Sequence, residues 1–161
     1  MVVHMESALD WVQPAGLLTA VGILAFCFAK LEVQIEGAAG WAAGLPTWRV
    51  ERHPLLDIFW GGRPLTGYHA WAFTFMALVF HLPLALVWTF SLHLEARVAG
   101  CLALFWIAED FLWFVLNPAF GLARFNRSAI WWHRRWWMGL PVDYWQFTGA
   151  GLGLLVYSYM G

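Results

Sequence analysis

Charge is what this sequence has least of. Only 12% of its 161 residues are Asp, Glu, Lys or Arg, against about 25% in an ordinary soluble domain. So sparse a set cannot coat a water-soluble globule. The nine Lys and Arg residues form no run suited to a phosphate backbone, which excludes nucleic acid as a partner. Cysteine is nearly missing too. Cys27 and Cys101 are the only two, and they fall near opposite ends of different apolar segments. They read as small buried hydrophobes and not as a disulfide. His-x-x-His, Glu-x-x-His and Cys-x-x-Cys do not occur, so no recognised metal-ligand spacing is present. The first apolar stretch lacks a basic flank and a small-residue cleavage site, and is expected to be retained. Bulky Phe26 ahead of Cys27 argues against a lipoprotein site. With neither a linker nor a repeat, residues 1–161 read as one domain.

What the sequence has in quantity is apolar and aromatic side chains. It is 61% hydrophobic and contains 13 Trp and 13 Phe, where soluble domains are roughly 45–50% apolar. Four spans are expected, at 11–29, 69–90, 98–116 and 144–159, the first three with about the 20 apolar residues that a bilayer core requires. Basic residues test this arrangement. Lys30, Arg49, Arg52 and Arg63 lie between the first two spans, Arg97 between the second and third, and Arg124, Arg127, Arg134 and Arg135 between the last two. Eight of the nine share one side only if there are four spans with both termini opposite, and that side is then cytoplasmic. The expected fold is an all-α integral membrane protein: a four-helix transmembrane bundle, termini on the non-cytoplasmic side, in a bacterial inner membrane or its equivalent.

The cytoplasmic connections mix Trp and Arg. In Trp131-Trp132-His133-Arg134-Arg135-Trp136-Trp137, rings suit the acyl boundary and guanidinium groups suit phosphates. His133, Arg134 and Arg135 are therefore candidates for holding a lipid head group, beside a simpler anchoring role. Pro83 is expected to bend the second span. The small residues from Gly149 to Gly153 offer a face for close helix packing or for a homo- or hetero-oligomer.

Glu109 and Asp110 carry the functional signal. They lie adjacent inside VAGCLALFWIAEDFLWFVL (98–116), which holds no other charge. An ionised acid at that depth costs roughly 2.5–3.5 kcal/mol and needs a partner, a proton or a watery cavity. Glu109 lies 11 residues into its span, about 16 Å. His81 lies nine residues into the antiparallel neighbour, roughly 14 Å. Equal depth makes His81, Glu109 and Asp110 the candidate catalytic set. Trp106, Trp113 and Asn117 share a helical stripe with the acids and are candidate substrate contacts. Adjacent helical residues diverge by about 100°, so one acid is expected to work while the other orients it or pairs elsewhere. A second group, His53, Asp57, His69, His133 and Asp143, gathers at the cytoplasmic mouth. His69 is expected to stand apart from His81, and a re-entrant loop could carry His133 inward.

These residues suit an enzyme that isomerises, cyclises or dehydrates an isoprenoid-, sterol- or lipid-like substrate by acid–base chemistry, with tryptophans facing a cationic intermediate. The run AEDFLWF (108–114), followed by a Trp-rich last helix, resembles the emopamil-binding/sigma-2 group, which includes sterol isomerases. The second span lacks a His-x-x-x-Glu pair, and the chain is not assigned to that group. Nor does it show the Trp-Pro-rich first loop of the tryptophan-rich sensory/translocator proteins. Alternatives are a metal-dependent membrane oxidoreductase using the same residues as ligands, a haem or chlorin bound axially by His81, and a non-catalytic subunit or binder of lipid or pigment. The acid–base reading requires no cofactor. An absorption spectrum and elemental analysis of purified protein should accordingly show neither a chromophore nor a stoichiometric metal, and finding either would favour the alternatives.

Overall fold

The computed structural model describes residues 3–87 and 90–160, with only the backbone described for 3–12, 59 and 87. The end of the second expected span, at 88–89, lies outside the described residues. The chain is mostly helical. Helix α1 (Val3–Glu36) leads into a connection holding strand β1 (Arg49–Val50), helix α2 (Pro54–Phe59) and strand β2 (Leu65–Thr66). Helices α3 (Gly67–Val87) and α4 (Leu92–Leu116) follow. A 3-10 turn (Leu122–Arg124), strands β3 (Trp136–Trp137) and β4 (Leu140–Pro141), and helix α5 (Val142–Ser158) complete the chain. Three helices are long and apolar enough to cross a membrane, over Gln13–Glu36, Gly67–Leu86 and Leu92–Leu116. Helix α5 has 17 residues, about 26 Å, and falls short of that length.

Two helices outrun the apolar stretches that announce them. Helix α1 continues seven residues beyond position 29 and α4 begins six before position 98. Helix α1 ends where Gly37 takes a left-handed φ of 60° and returns its N–H to the Val33 carbonyl at 3.0 Å, a conformation glycine adopts without a Cβ penalty. Helix α4 stops at Asn117 because Pro118 disfavours helical backbone in the residue before it. Each connection closes on a short antiparallel pair, Arg49 opposite Thr66 and Trp136 opposite Pro141. The second turns through Met138 and Gly139, with φ of 48° and 82°, the left-handed pair a two-residue hairpin needs. These connections form a cap under one end of the helices.

Helix α4 is the centre of the packing. Its buried residues Cys101 and Phe105 meet Val21 and Ala25 of α1, Met76 of α3 and Leu155 of α5. Nearer the cap, Trp113 and Phe114 join Ala29, Val33, Trp41, Ile130 and Trp132. Helices α4 and α5 cross at glycine. A Cβ on Gly100 would lie 2.8 Å from the Gly151 carbonyl oxygen, and one on Gly151 would lie 2.9 Å from Leu104 Cγ. Gly149 and Gly153, read from sequence as the packing face, have open space around them. Gly151 lies two residues from each, about 200° around the helix, and it is Gly151 that packs. Cys101 is buried as expected, but Cys27 is exposed.

Helix α3 stands apart. It touches α4 only lightly and turns Trp71, Phe75, Leu78, Leu82 and Leu86 outward. That apolar stripe suits lipid and would be an aggregation face in water.

Gly100→Leu and Gly151→Leu should each destabilise the protein by about 1–3 kcal/mol through overpacking against a neighbour with little room to move. Gly149→Leu and Gly153→Leu should change stability by less than about 0.5 kcal/mol. Thermal unfolding in detergent, followed by tryptophan fluorescence, separates the two pairs. Equal losses in all four would mean that the crossing lies elsewhere.

Candidate functional site

Arg63 enters the helices from the cap. Gly61 and Gly62, with φ of 59° and 78°, turn the chain sharply after α2 and deliver its side chain between α4 and α5. Its Nη1 donates to Asp110 Oδ1 at 3.0 Å, and its Nη2 pairs with Asp143 Oδ2. The Tyr144 hydroxyl donates to the other oxygen of Asp110. His133 completes a ring, with Nε2 3.3 Å from Asp110 Oδ2 and Nδ1 3.5 Å from Asp143 Oδ1. Burial works against the Arg63 charge, but Asp110 and Asp143 outweigh it and hold the guanidinium above its ordinary pKa.

A second group lies beside this ring. The Glu36 carboxylate accepts the backbone N–H groups of Trp41 and Ala42, which converge because both residues are left-handed, with φ of 47° and 50°. Arg49 donates to the carbonyls of the same two residues, so the turn is held from both sides. The Trp41 ring stacks on His69 at 3.8 Å, lies 4.9 Å from the Arg63 guanidinium carbon, and donates its Nε1–H to the Pro64 carbonyl at 2.7 Å. Thr66 Oγ1 accepts the backbone N–H of His69 and lies 2.6 Å from its Nδ1. The other ring nitrogen, Nε2, lies 3.5 Å from Glu36 Oε1.

Glu32 completes the group. It accepts from the Tyr68 hydroxyl at 2.9 Å and lines the same cavity as Glu109. Glu109 keeps its Oε1 without a partner although the residue is only 3% exposed. Two other buried donors nearby, Nε1 of Trp60 and of Trp113, are also unpartnered.

The acids of both groups, with Arg63, Trp41 and His69, border one cavity of about 390 Å³ between α3 and α4, within the size range of small-molecule sites. Glu32, Glu36, Arg63, His69, Glu109, Asp110 and Asp143 lie at its cap end. Phe73, Ala77, Leu102, Ala103, Trp106 and Ile107 form apolar walls, and His81 with Glu95 lies at the far end.

The candidates from sequence fall into three sets. Glu109, Trp106 and Trp113 line the cavity. Asp110 also reaches it, but its oxygens are engaged by Arg63 and Tyr144. His133 is buried beneath it, its ring nitrogens near Asp110 and Asp143 but without a hydrogen bond to either. His81 does not meet the acids as expected: its Nε2 lies 2.8 Å from Glu95 Oε1, and its Nδ1 lies 2.6 Å from the Ala77 carbonyl. The reason is register. Because α4 begins at Leu92, residues 81 and 95 face each other, and His69 is the histidine level with Glu109.

Asn117, Arg134 and Arg135 lie outside the cavity. Asn117 donates to the Gly37 carbonyl at 2.8 Å and accepts from Ala119 N–H, locking two helix ends. Arg134 reaches Glu51 at 3.4 Å and Arg135 donates to the Asp57 carbonyl at 2.7 Å, on the outside of the cap. The mouth group divides as well. His69, His133 and Asp143 are buried here, whereas His53 caps α2 and Asp57 is exposed. Among the described residues no three His, Cys, Asp or Glu side chains are placed to hold a metal ion.

Sequence reasoning missed Glu32, Glu36, Arg63, Trp41 and Glu95. The two glutamates were accessible to it, since the buried stripe Val21, Ala25, Ala29 continues into Glu32 and Glu36 at helical spacing.

Asp110→Asn removes a charge from the Arg63 clamp and should cost about 3–5 kcal/mol, the usual penalty for breaking a buried pair. Glu109→Gln loses at most a hydrogen bond, about 1 kcal/mol. Thermal unfolding of the two variants in detergent reads the difference, and equal losses would contradict separate roles for the adjacent acids.

No family model, characterised protein or solved structure matches the chain, so its site is read from its own geometry.

Proposed function

We propose that the protein is a membrane-embedded enzyme that performs acid–base chemistry on a lipophilic substrate, with Glu109 as the group that meets the substrate. One observation carries this reading: a buried carboxyl with an unpartnered oxygen, beside a second carboxyl, at the closed end of an apolar cavity walled by tryptophan. Glu32 and Glu109 line the same cavity, so one can give a proton while the other receives one. In an isomerisation, Glu109 protonates a carbon of the substrate double bond, and the adjacent cation loses a proton to the carboxylate partner. The double bond moves and no atom is gained or lost. The faces of Trp41, Trp106 and Trp113 are suited to hold the cation between these steps. His69, whose Nε2 lies 3.5 Å from Glu36 Oε1, can return the pair to its starting protonation. Asp110 acts as a positioning residue that fixes Arg63 and Tyr144.

The same reading assigns α5 as a fourth span. At about 26 Å it is short, but it packs along α4 and shares its depth. Both termini then lie on the non-cytoplasmic side, and the cap, with seven of the nine basic residues, is cytoplasmic, as is the end of α1 that carries Lys30.

The test compares lipid extracts of cells that carry the protein, its Glu109→Gln variant, or neither, by liquid chromatography and mass spectrometry. The expected result is a lipid isomer, or a species lighter by one water, that appears with the unaltered protein and falls about 10²–10⁴-fold with Glu109→Gln, the usual contribution of a general acid or base. An extract unchanged by Glu109→Gln would overturn the assignment.

A further inference from the structure

The cavity has polar groups at both ends and apolar walls between. At the closed end, Glu109 and Trp113 are one helical turn apart on the same face of α4. Each is buried and each keeps a polar atom without a partner, Oε1 of Glu109 and Nε1 of Trp113. A hydroxyl satisfies both, since it accepts the indole N–H and donates to the carboxyl.

The closed end also turns anions away. Arg63 is the one guanidinium lining the cavity among the described residues, and Asp110 and Asp143 match its charge twice over. The converging N–H groups of Trp41 and Ala42 form the kind of concavity that binds anions, and Glu36 already fills it. A phosphate or carboxylate would meet Glu32, Glu36 and Glu109 with no free cation to offset them.

At the other end, His81 and Glu95 are hydrogen-bonded to each other, and their side chains are 39% and 38% exposed. Glu95 and Glu109 are 14 residues apart on α4, about 21 Å, and the 12 residues from His69 to His81 on α3 give about 18 Å. Both measures follow the same cavity.

We propose that this cavity takes an elongated, uncharged lipid with an oxygen function at each end: one between Glu109 and Trp113, the other against His81 and Glu95, about 20 Å away. The proposal rests on the reading of Glu109 as the group that meets the substrate, and adds to it a length, a charge and a second polar contact.

Three probes of one chain length test it on the full protein in lipid nanodiscs: hexadecane-1,16-diol, hexadecan-1-ol and hexadecyl phosphate. A chain of about sixteen carbons, advancing about 1.3 Å per C–C bond, spans the distance. Binding is read from the fluorescence of the lining tryptophans. The diol should bind about three- to tenfold more tightly than the alcohol, the effect of one added hydrogen bond, and the phosphate most weakly. His81→Leu and Glu95→Leu, made together so that an apolar contact replaces the hydrogen bond tying α3 to α4 at this end, should bring the diol to the level of the alcohol and leave the alcohol unaltered. Glu109→Gln should weaken diol and alcohol alike. Equal binding of diol and alcohol by the unaltered protein overturns the second contact, as does a preference that survives the double leucine variant. Tightest binding of the phosphate overturns the uncharged class. If Glu109→Gln leaves the alcohol unaffected, the reading of Glu109 fails with the proposal, and that result is distinct from loss of the diol preference alone.

Discussion

Arg63 placed between Asp110 and Asp143 joins three parts of the chain that are far apart in sequence: the turn after α2, the interior of α4 and the first turn of α5. Each of the three charges would be expensive if buried alone, and each is tolerable only because the other two are present. The cap is therefore not a pair of loose connections beneath a bundle. It is fastened to the bundle by a guanidinium that cannot give up its proton. His133 and Tyr144 occupy remaining positions around the same carboxylates, which fixes the second connection as well as the first.

That arrangement engages two adjacent acids differently. Asp110 is committed to Arg63 and Tyr144, whereas Glu109, about 100° around the helix, faces the cavity with an oxygen to spare. The cavity exists because α3 is tied at its ends and not along its length. Near the cap, Tyr68 bonds Glu32 and His69 lies against Glu36; at the far end, His81 bonds Glu95. Between them α3 and α4 touch only lightly. In lipid there is no hydrophobic force to close such a gap, since acyl chains are as apolar as the side chains they replace. A gap held open by polar ties at both ends is stable in a bilayer.

The helices were legible in the sequence because long apolar runs admit few other structures. Their ends were not. Hydropathy records where lipid touches the chain, and a helix continues past that point wherever it stays packed or capped. Ending the first helix at position 29 leaves Glu32 and Glu36 in a loop, and starting the third span at 98 leaves out Glu95. The same truncation pairs His81 with Glu109 and Asp110, which lie 14 and 15 residues along α4 from its partner Glu95. Glu109 and Asp110 were legible as a site because charge at that depth is costly and stands out. Arg63 was not, since its partners lie 47 and 80 residues away and no local pattern records such a pairing.

Trp41 shows how closely the clamp and the acid group depend on each other. It is one of two consecutive left-handed residues that are not glycine, and each such residue costs roughly 1–2 kcal/mol in backbone conformation. Local sequence gives no reason to accept that cost, but the surroundings do. The left-handed pair turns two N–H groups onto Glu36, and it places the indole between His69 on one side and the Arg63 guanidinium on the other. One strained turn thus satisfies a buried carboxylate, supports the cation that holds the cap, and fixes the histidine level with Glu109. A glycine at position 41 would relieve the backbone and lose all three contacts of the ring. The strain is tolerated because the charged ring and the acid group both rest on the same indole.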